Sequence, residues 1–478
     1  MKKYNKYSKS YHPSAITLLF VILLIVVGSI LQGYANGTAH TFIIAISLFI
    51  LGLAIVNLIF FKGKAELRVF LLTYGVCVFV GGLVQSYSLI VFDNPQSTFD
   101  AINFFFPNII SSPPFPSEVE LASAMEYALP IMIWQEIYKL TWLLGIDFGP
   151  YIGVMFNAFV VAITGSLTVR TAREVYGDDA WRLRRVGTLF AFCGLFILFG
   201  SVLLRGSFII FLNALVLWVI IRWLVRASFL NLLLAIFFTG VAVFFMTYLR
   251  WETNILFGLF WLLAFLSWYF KDKLNLKRIT IFFLSILPLI IFRDTIVEYF
   301  NFFQNIGEIG LTQYNEISKI ESSGSSLGEK FIINQPLPIR LALGSVFLIL
   351  FPIPFWSYFN TISTDYHWIM GYNGIYKILI MPLVFAGFFT VYRFLKEDWR
   401  QRVPFIFLAI YILLTIAVVV STSQEQRHYA QFMNALIILA ALPDTRIKQV
   451  RTKMLLISGV WFSSVALLHI AWVVIKWL

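Results

Sequence analysis

Long apolar segments separated by short basic loops are the feature that most constrains this fold. A helix needs roughly 20 apolar residues to cross a bilayer, and 60% of the 478 residues are hydrophobic while 13% are charged, which excludes a water-soluble globule. The sequence therefore predicts an all-α, polytopic membrane protein with about 13 transmembrane helices. They are expected at about 15–31, 41–61, 67–91, 149–169, 186–204, 206–225, 228–248, 252–270, 279–297, 377–395, 403–421, 429–443 and 454–475.

Two further apolar segments, at about 127–146 and 341–357, do not suit a simple crossing. The first contains Glu136 and Lys139, and the second is interrupted by two prolines. Counting either one as a crossing also puts the later basic loops on the wrong side of the membrane. Both are predicted to be re-entrant or surface-lying helices.

The basic residues indicate the sidedness of the chain. Lys and Arg number 36 against 24 Asp and Glu, a net charge of +12, and 26 of the 36 fall in segments that this topology puts on one side. The positive-inside rule assigns that side to the cytoplasm, together with the N-terminus and a retained first helix, so the charge is a sign of topology and not of nucleic-acid binding. The segments are 1–14, 62–68, 170–185, 222–226, 271–278, 393–402 and 446–453.

The outer face then receives two long loops, at about 92–126 and 298–340, which are rich in turn formers and flexible residues. No repeat or separate soluble domain is evident, so residues 1–478 are interpreted as one membrane domain. Cys77 and Cys193 both lie in apolar runs and suggest neither a disulfide framework nor a metal cluster.

Four arginines are expected at the outer ends of predicted helices. Because a charge at membrane depth is costly, this placement favours a role in holding an anionic substrate. Interfacial anchoring, or a local ion pair with a neighbouring acid, explains each of them as an alternative. The four are Arg205, Arg250, Arg293 and Arg427.

The densest polar cluster is a short predicted outer loop that leads into an apolar helix and contains Arg427, His428 and Tyr429. The planar guanidinium of arginine suits phosphate, while imidazole and phenol groups donate to phosphate or sugar oxygens. A diphosphate is the predicted ligand. The alternative is that any short loop between two helices must be polar.

Acidic residues of the first outer loop supply the other half of a possible reaction. Asp93 and Asp100 bracket the segment 94–99, immediately after a predicted helix ends, and either is a candidate general base for an attacking hydroxyl. A turn or helix cap is the alternative for both. His367 is a further candidate to line the same cavity, although one histidine with a nearby acid does not make a metal site. No nucleotide-binding or common hydrolase motif is evident.

These segments resemble a known superfamily. The first-loop acid, Leu-Leu-Arg-Gly-Ser-Phe-Ile-Ile-Phe at 203–211, Tyr-Leu-Arg at 248–250, Phe-Pro-Ile-Pro-Phe-Trp at 351–356 and Gln-Arg-His-Tyr at 426–429 look like motifs of two related groups. They are the C-type integral membrane glycosyltransferases, which use polyprenyl-phosphate sugars, and the oligosaccharide-repeat-unit polymerases of bacterial envelopes. The resemblance runs from about residue 67 to residue 443.

The resemblance implies an enzyme at the outer face of the bacterial cytoplasmic membrane. It would transfer sugar from a polyprenyl-linked donor to a glycan or lipid acceptor, alongside other polysaccharide-assembly proteins. Asp100 or Asp93 would match the loop acid, Arg205 the arginine of the turn, and Arg250 and Arg427 the arginines that hold the diphosphate. Members with and without a divalent metal both occur, and no ligand set for a metal is evident in this sequence.

A transporter or flippase of a lipid-linked or anionic substrate is the competing interpretation. Transport predicts polar residues at the bilayer midplane, whereas catalysis predicts a site at the outer face alone. The predicted arginines follow the second pattern. A structural partner in an envelope machine is a third interpretation, which does not require four arginines at outer helix ends.

Overall fold

A computed structural model describes eleven stretches of the chain, and every regular element within them is helical. The described residues are 15–59, 63–96, 98, 101, 128–250, 253–271, 336–350, 355–360, 367–397, 399–422 and 429–477. The helices are α1 Ala15–Asn36, α2 Thr41–Ile59, α3 Lys64–Phe92, α4 Ala128–Leu143, α5 Tyr151–Tyr176, α6 Ala180–Ala191, α7 Gly194–Ser201, α8 Gly206–Arg226, α9 Phe229–Arg250, α10 Thr253–Lys271, α11 Leu337–Leu350, α12 Ser357–Asn360, α13 His367–Lys396, α14 Val403–Thr422, α15 Ala430–Ala440 and α16 Lys448–Trp477.

Within the described stretches, nine helices are long and apolar enough to cross a membrane. They are α1, α2, α3, α5, α8, α9, α13, α14 and α16. Helices α6 and α7 together make a tenth candidate, which is bent by 53°. The prediction of an all-helical, polytopic membrane protein is therefore confirmed. The count of 13 is not reached in this part of the chain, because the apolar stretch of α10 that qualifies is only Leu256–Tyr269, α15 has only 11 residues, and the expected span 279–297 lies outside the described residues.

The two segments expected to lie on or in the membrane surface both form short helices. Helix α4 has 16 residues; one of its faces buries Trp134 and Tyr138, while Leu140 and Leu143 are exposed on another. The second segment forms α11, of 14 residues, and the single turn α12. Their lengths fall short of the roughly 20 residues that a crossing needs. Most of both long outer loops lies outside the described residues.

Helices α3, α5 and α8 form the buried centre of the bundle, with α1 packed on α3 and α9 on α8. Glycines permit the close contact between α1 and α3: a Cβ atom on Gly82 would lie 2.5 Å from the carbonyl oxygen of Gly28. Without a hydrophobic drive between helices in lipid, such close backbone approach supplies much of the packing energy.

Four of the seven segments predicted to be cytoplasmic converge at one end of the bundle. Glu66 of α3 accepts two hydrogen bonds from Arg173 of α5, from Nε at 2.8 Å and Nη2 at 2.7 Å. Glu174 of α5 accepts two from Arg226, the last residue of α8, at 3.1 and 2.8 Å. We call this end, with its described segments 63–68, 170–185, 222–226 and 446–453, the basic end.

The loop after α15 completes the basic end. Asp179 begins α6 by accepting backbone hydrogen bonds and also pairs with Arg446 at 3.3 Å. Arg446 in turn pairs with Asp444 at 2.7 Å, and Asp444 lies 3.7 Å from Arg182. The hydrogen bond from Arg446 holds the pKa of the Asp444 carboxyl below its ordinary value. Arg173, Arg182, Arg226 and Arg446 are thus paired with acids from other parts of this end, which gives them a structural role.

Candidate functional site: an arginine rim and a mid-depth junction

The turn between α7 and α8, which carries the predicted site residue Arg205, is fixed by a buried asparagine. Asn157 of α5 donates from Nδ2 to the carbonyls of Val202 and Leu204, at 2.9 and 3.1 Å. Its Oδ1 accepts from Trp134 Nε1 and from Ser207 Oγ, at 3.1 and 3.0 Å. Since each of these groups is buried, the amide holds the turn in one conformation.

Arg205 is brought beside the second predicted arginine. Its Nη1 donates to the carbonyl oxygen of Leu249 at 2.7 Å, and Arg250 follows as the last residue of α9. Helix α8 has 21 residues, so about 31 Å of rise separates Arg205 from Arg226 at the basic end. That rise matches the hydrocarbon thickness of a bilayer. We call Arg205 and Arg250 the arginine rim; it lies at the opposite end of α8 from the basic end.

Asp93 is the C-terminal cap residue of α3, and a helix cap is the alternative role that the sequence suggests for it. It ends α3 with a left-handed backbone (φ 54°, ψ 28°), and its N–H donates to the carbonyl of Leu89 at 3.0 Å. Its side chain is exposed. Asp100, the other candidate base, lies outside the described residues, between Thr98 and Ala101, which are both buried.

Of the other predicted site residues, some are described by the structure and some lie outside the described residues. His367 begins α13 and packs its ring against Tyr358, with the ring centroids 4.9 Å apart. It thus lies at the contact between α12 and α13. Arg293, Arg427 and His428 lie outside the described residues.

Tyr429 lies deeper than an outer loop. It is 2% exposed and immediately precedes α15, whose 11 residues rise about 16 Å. Near the other end of α15, the carbonyl of Ile438 accepts a hydrogen bond from Tyr176, the last residue of α5 at the basic end. Tyr429 is therefore about half a membrane thickness above the basic end.

Lys377 is the residue that sequence reasoning missed. The predicted span at about 377–395 puts it at the end of a helix, near the membrane surface. Helix α13 instead begins at His367, ten residues or about 15 Å earlier, and Lys377 is only 6% exposed. Its Nζ lies 5.9 Å from the ring centroid of Tyr429. Its apolar sequence neighbours, Gly-Ile-Tyr-Lys-Ile-Leu-Ile at 374–380, were the signal in the sequence that this lysine is buried.

The break between α6 and α7 packs against the part of α13 that precedes Lys377. The hydroxyl of Tyr376 donates to the carbonyl of Leu189, and that of Tyr372 to the carbonyl of Phe192, both at 2.8 Å. These bonds satisfy carbonyls that the end of α6 leaves without helical partners. Gly194, the first residue of α7, packs directly on α13, since a Cβ atom on it would lie 2.5 Å from the Cβ atom of Asn373. We call Cys193, Tyr372, Tyr376, Lys377 and Tyr429 the mid-depth junction.

The part of the chain that the structure describes offers no group of three or more His, Cys, Asp or Glu side chains placed to hold a metal ion. The chain matches no family model, no curated protein and no solved structure. The resemblance to lipid-linked sugar transferases therefore depends on the short motifs alone.

Proposed function

We propose that this chain is an integral membrane glycosyltransferase or polysaccharide polymerase that acts on polyprenyl-(di)phosphate-linked sugars at the outer face of a bacterial cytoplasmic membrane. The observation that carries the proposal is the arginine rim. Arg205 is hydrogen-bonded to the residue before Arg250, at the end of α8 opposite the basic end. The positive-inside rule makes the basic end cytoplasmic, which puts the rim and the N-terminus on opposite sides.

Sugar transfer from a lipid diphosphate needs two kinds of group. A carboxylate takes the proton of the acceptor hydroxyl, and fixed cations stabilise the negative charge that develops on the leaving diphosphate. Arg205 and Arg250 supply the cations, and Arg427 is assigned to the same role. Asp100 is assigned as the base ahead of Asp93, because the backbone of Asp93 is already committed to ending α3. The acceptor is a glycan or a lipid.

The test is the glycan profile of the source cell with Arg205→Ala, compared with wild type and a deletion at matched protein levels. We expect long surface glycans to disappear and single lipid-linked units to accumulate. Arg393→Ala is the matched control, because Arg393 is a 70% exposed arginine on α13 that pairs only loosely with Glu397 at 3.8 Å. Unchanged glycans in both the Arg205 variant and the deletion would contradict the proposal.

A second candidate function, a flippase or transporter of a lipid-linked or anionic substrate, is favoured by one observation. Helices α6 and α15 both extend from the basic end to about half the membrane thickness, and a buried lysine lies where they stop. Discontinuous helices around a midplane charge are typical of transporters. Purified protein in proteoliposomes separates the two functions: a transferase forms a new glycosidic bond when acceptor is added, whereas a flippase changes only the leaflet of its lipid.

A further inference from the structure

The first turns of α16 carry cations that the acids of the basic end do not neutralise. The segment 444–453 contains four basic residues and one acid, Asp444, which is already paired with Arg446. The other three, Lys448, Arg451 and Lys453, are exposed, and among the described residues their side chains form no ion pair or hydrogen bond. We call these three residues the α16 cations. Their charge is available to an anion from outside the chain.

Helix α16 lies at the edge of the bundle. Of the nine candidate spans in the described part of the chain, it buries the smallest share of its residues. It packs mainly against α13, where Trp461 Nε1 donates to the carbonyl of Ile378 at 2.8 Å. The opposite face of α16 is left open to the lipid around the bundle.

The α16 cations lie at the depth of the lipid headgroups. Helix α16 has 30 residues and rises about 45 Å, close to the roughly 40–45 Å of a bilayer with its headgroups. The stretch from Lys448 to Lys453 occupies the first 7–8 Å or so of that rise. Trp181 of α6 lies beside this level, with the guanidinium groups of Arg185 and Arg446 over its ring at 5.0 and 4.9 Å. Tryptophan is enriched at the interface between membrane and water, which supports this depth.

Exposed leucines continue from the cations towards the hydrocarbon core. Leu455 comes four residues after Arg451, and Leu456 comes three residues after Lys453, so each leucine neighbours a cation on the helix surface. The two leucines are 68% and 70% exposed, and Val460, four residues after Leu456, is 63% exposed. The surface therefore combines positive charge at headgroup depth with an apolar face directly below it.

We propose that the α16 cations are a binding site for an anionic phospholipid of the cytoplasmic leaflet. The phosphate of the lipid meets Lys448, Arg451 and Lys453, and its acyl chains lie along Leu455 and Leu456. Basic residues next to the cytoplasmic end of a membrane span attract anionic lipids in this way. A soluble anion would use the cations but not the leucines, so the combination favours a lipid.

The proposal does not rest on sugar transfer. The α16 cations belong to the basic end, whereas the arginine rim lies at the opposite end of α8. The site would be the same in a transferase and in a flippase. Its lipid holds the start of the least enclosed span at the membrane surface.

The test measures lipid binding by the immobilised full chain in dodecyl maltoside micelles. Radiolabelled phosphatidylglycerol is titrated in one arm, and phosphatidylcholine with the same acyl chains in the other. We expect the parent to prefer phosphatidylglycerol and to lose that preference as salt is added, because exposed charges are screened. Lys448→Gln combined with Arg451→Gln is expected to weaken phosphatidylglycerol binding by about tenfold or more and to leave phosphatidylcholine binding unchanged.

The matched control is Arg393→Gln combined with Lys396→Gln, which also removes one arginine and one lysine from a segment predicted to be cytoplasmic. These two side chains already have partners, since Arg393 lies 3.8 Å from Glu397 and the Nζ of Lys396 lies 4.6 Å from the ring centroid of Tyr392. The control is expected to bind phosphatidylglycerol as the parent does.

Three outcomes overturn the proposal. They are equal binding of the two lipids by the parent, equal phosphatidylglycerol binding by the parent and the α16 variant, and an equal loss in the control, which would show an effect of net charge alone. Glycerol phosphate, the headgroup without acyl chains, is expected not to displace the lipid; displacement would identify a soluble anion instead. If the α16 variant does not fold, Lys448→Gln combined with Lys453→Gln takes its place under the same criteria.

Discussion

The ion pair between Glu66 and Arg173 gives the sharpest test of how the basic end is held together. The carboxylate of Glu66 is fully buried, and Arg173 meets both of its oxygens in a bidentate geometry. Ser166 donates to the backbone carbonyl of Glu66 at 2.8 Å and fixes its position against α5. Glu66→Gln removes the negative charge while keeping the size of the side chain.

Removing one partner of a buried ion pair costs about 3–5 kcal/mol, because the other charge is left without compensation. Arg173 is 22% exposed and also contacts Asp178, so the lower end of that range applies. We expect Glu66→Gln to lower the free energy of unfolding by about 3 kcal/mol. Combining it with Arg173→Gln is expected to cost less than the sum of the two, with a coupling energy of about 2 kcal/mol.

The assay is reversible denaturation of the purified full chain in mixed micelles, with the four members of the double-mutant cycle compared. The control cycle uses Arg393 and Glu397, which are 70% and 62% exposed and 3.8 Å apart. Exposed pairs of this kind contribute about 0.5 kcal/mol or less. A coupling energy for Glu66 and Arg173 no larger than that of the control pair would refute the reasoning.

Two further perturbations test the rim and the loop after α15. Asn157→Ala removes two donors to backbone carbonyls and an acceptor for Trp134 and Ser207. Thermal unfolding is therefore expected to show a loss of about 3 kcal/mol in the free energy of unfolding. A loss no greater than that of the exposed control Asn57→Ala would contradict this. The pKa of Asp444 is lowered in the folded protein, so its contribution to stability is full above the ordinary value near pH 4 and is lost as the pH falls through the lower folded value. Asp444→Asn is therefore expected to reduce the acid dependence of unfolding below about pH 4, and an unchanged dependence would count against the pairing.

The long spans were predictable because they carry a strong and local signal. An uninterrupted apolar run such as the one at 41–61 can satisfy its backbone in lipid only as a helix, and α2 follows it closely as Thr41–Ile59. The short turn before Arg205 was also predictable. The position of Arg205 beside Arg250 was not predictable from the sequence. That contact depends on how α8 and α9 cross, which no local pattern specifies.

The sequence did not predict how deeply individual residues are buried in the helical bundle. Hydropathy located the start of a span at residue 377, but the ten less apolar residues before it continue the same helix, so a lysine expected at the surface is buried. Tyr429 was placed in an outer loop because a polar segment precedes it, although it begins a helix of only 11 residues. Glu66 was missed because its partner Arg173 is 107 residues away along the chain.

The break between α6 and α7 leads to a final prediction, since its position depends on one glycine. A Cβ atom on Gly194 would lie 2.5 Å from the Cβ atom and 2.6 Å from the Cα atom of Asn373. The backbone of α13 cannot move aside cheaply at this depth, so Gly194→Ala must push α7 away from α13. Such overpacking typically costs about 1–3 kcal/mol. We expect that loss in the free energy of unfolding of the Gly194→Ala variant.

Gly240→Ala is the matched control, because Gly240 is also a helical glycine and a Cβ atom there would meet nothing within 4 Å. Alanine is the better helix former by about 1 kcal/mol, so this variant is expected to unfold no more easily than the parent. Equal stability of the two variants would contradict the close approach of α7 and α13.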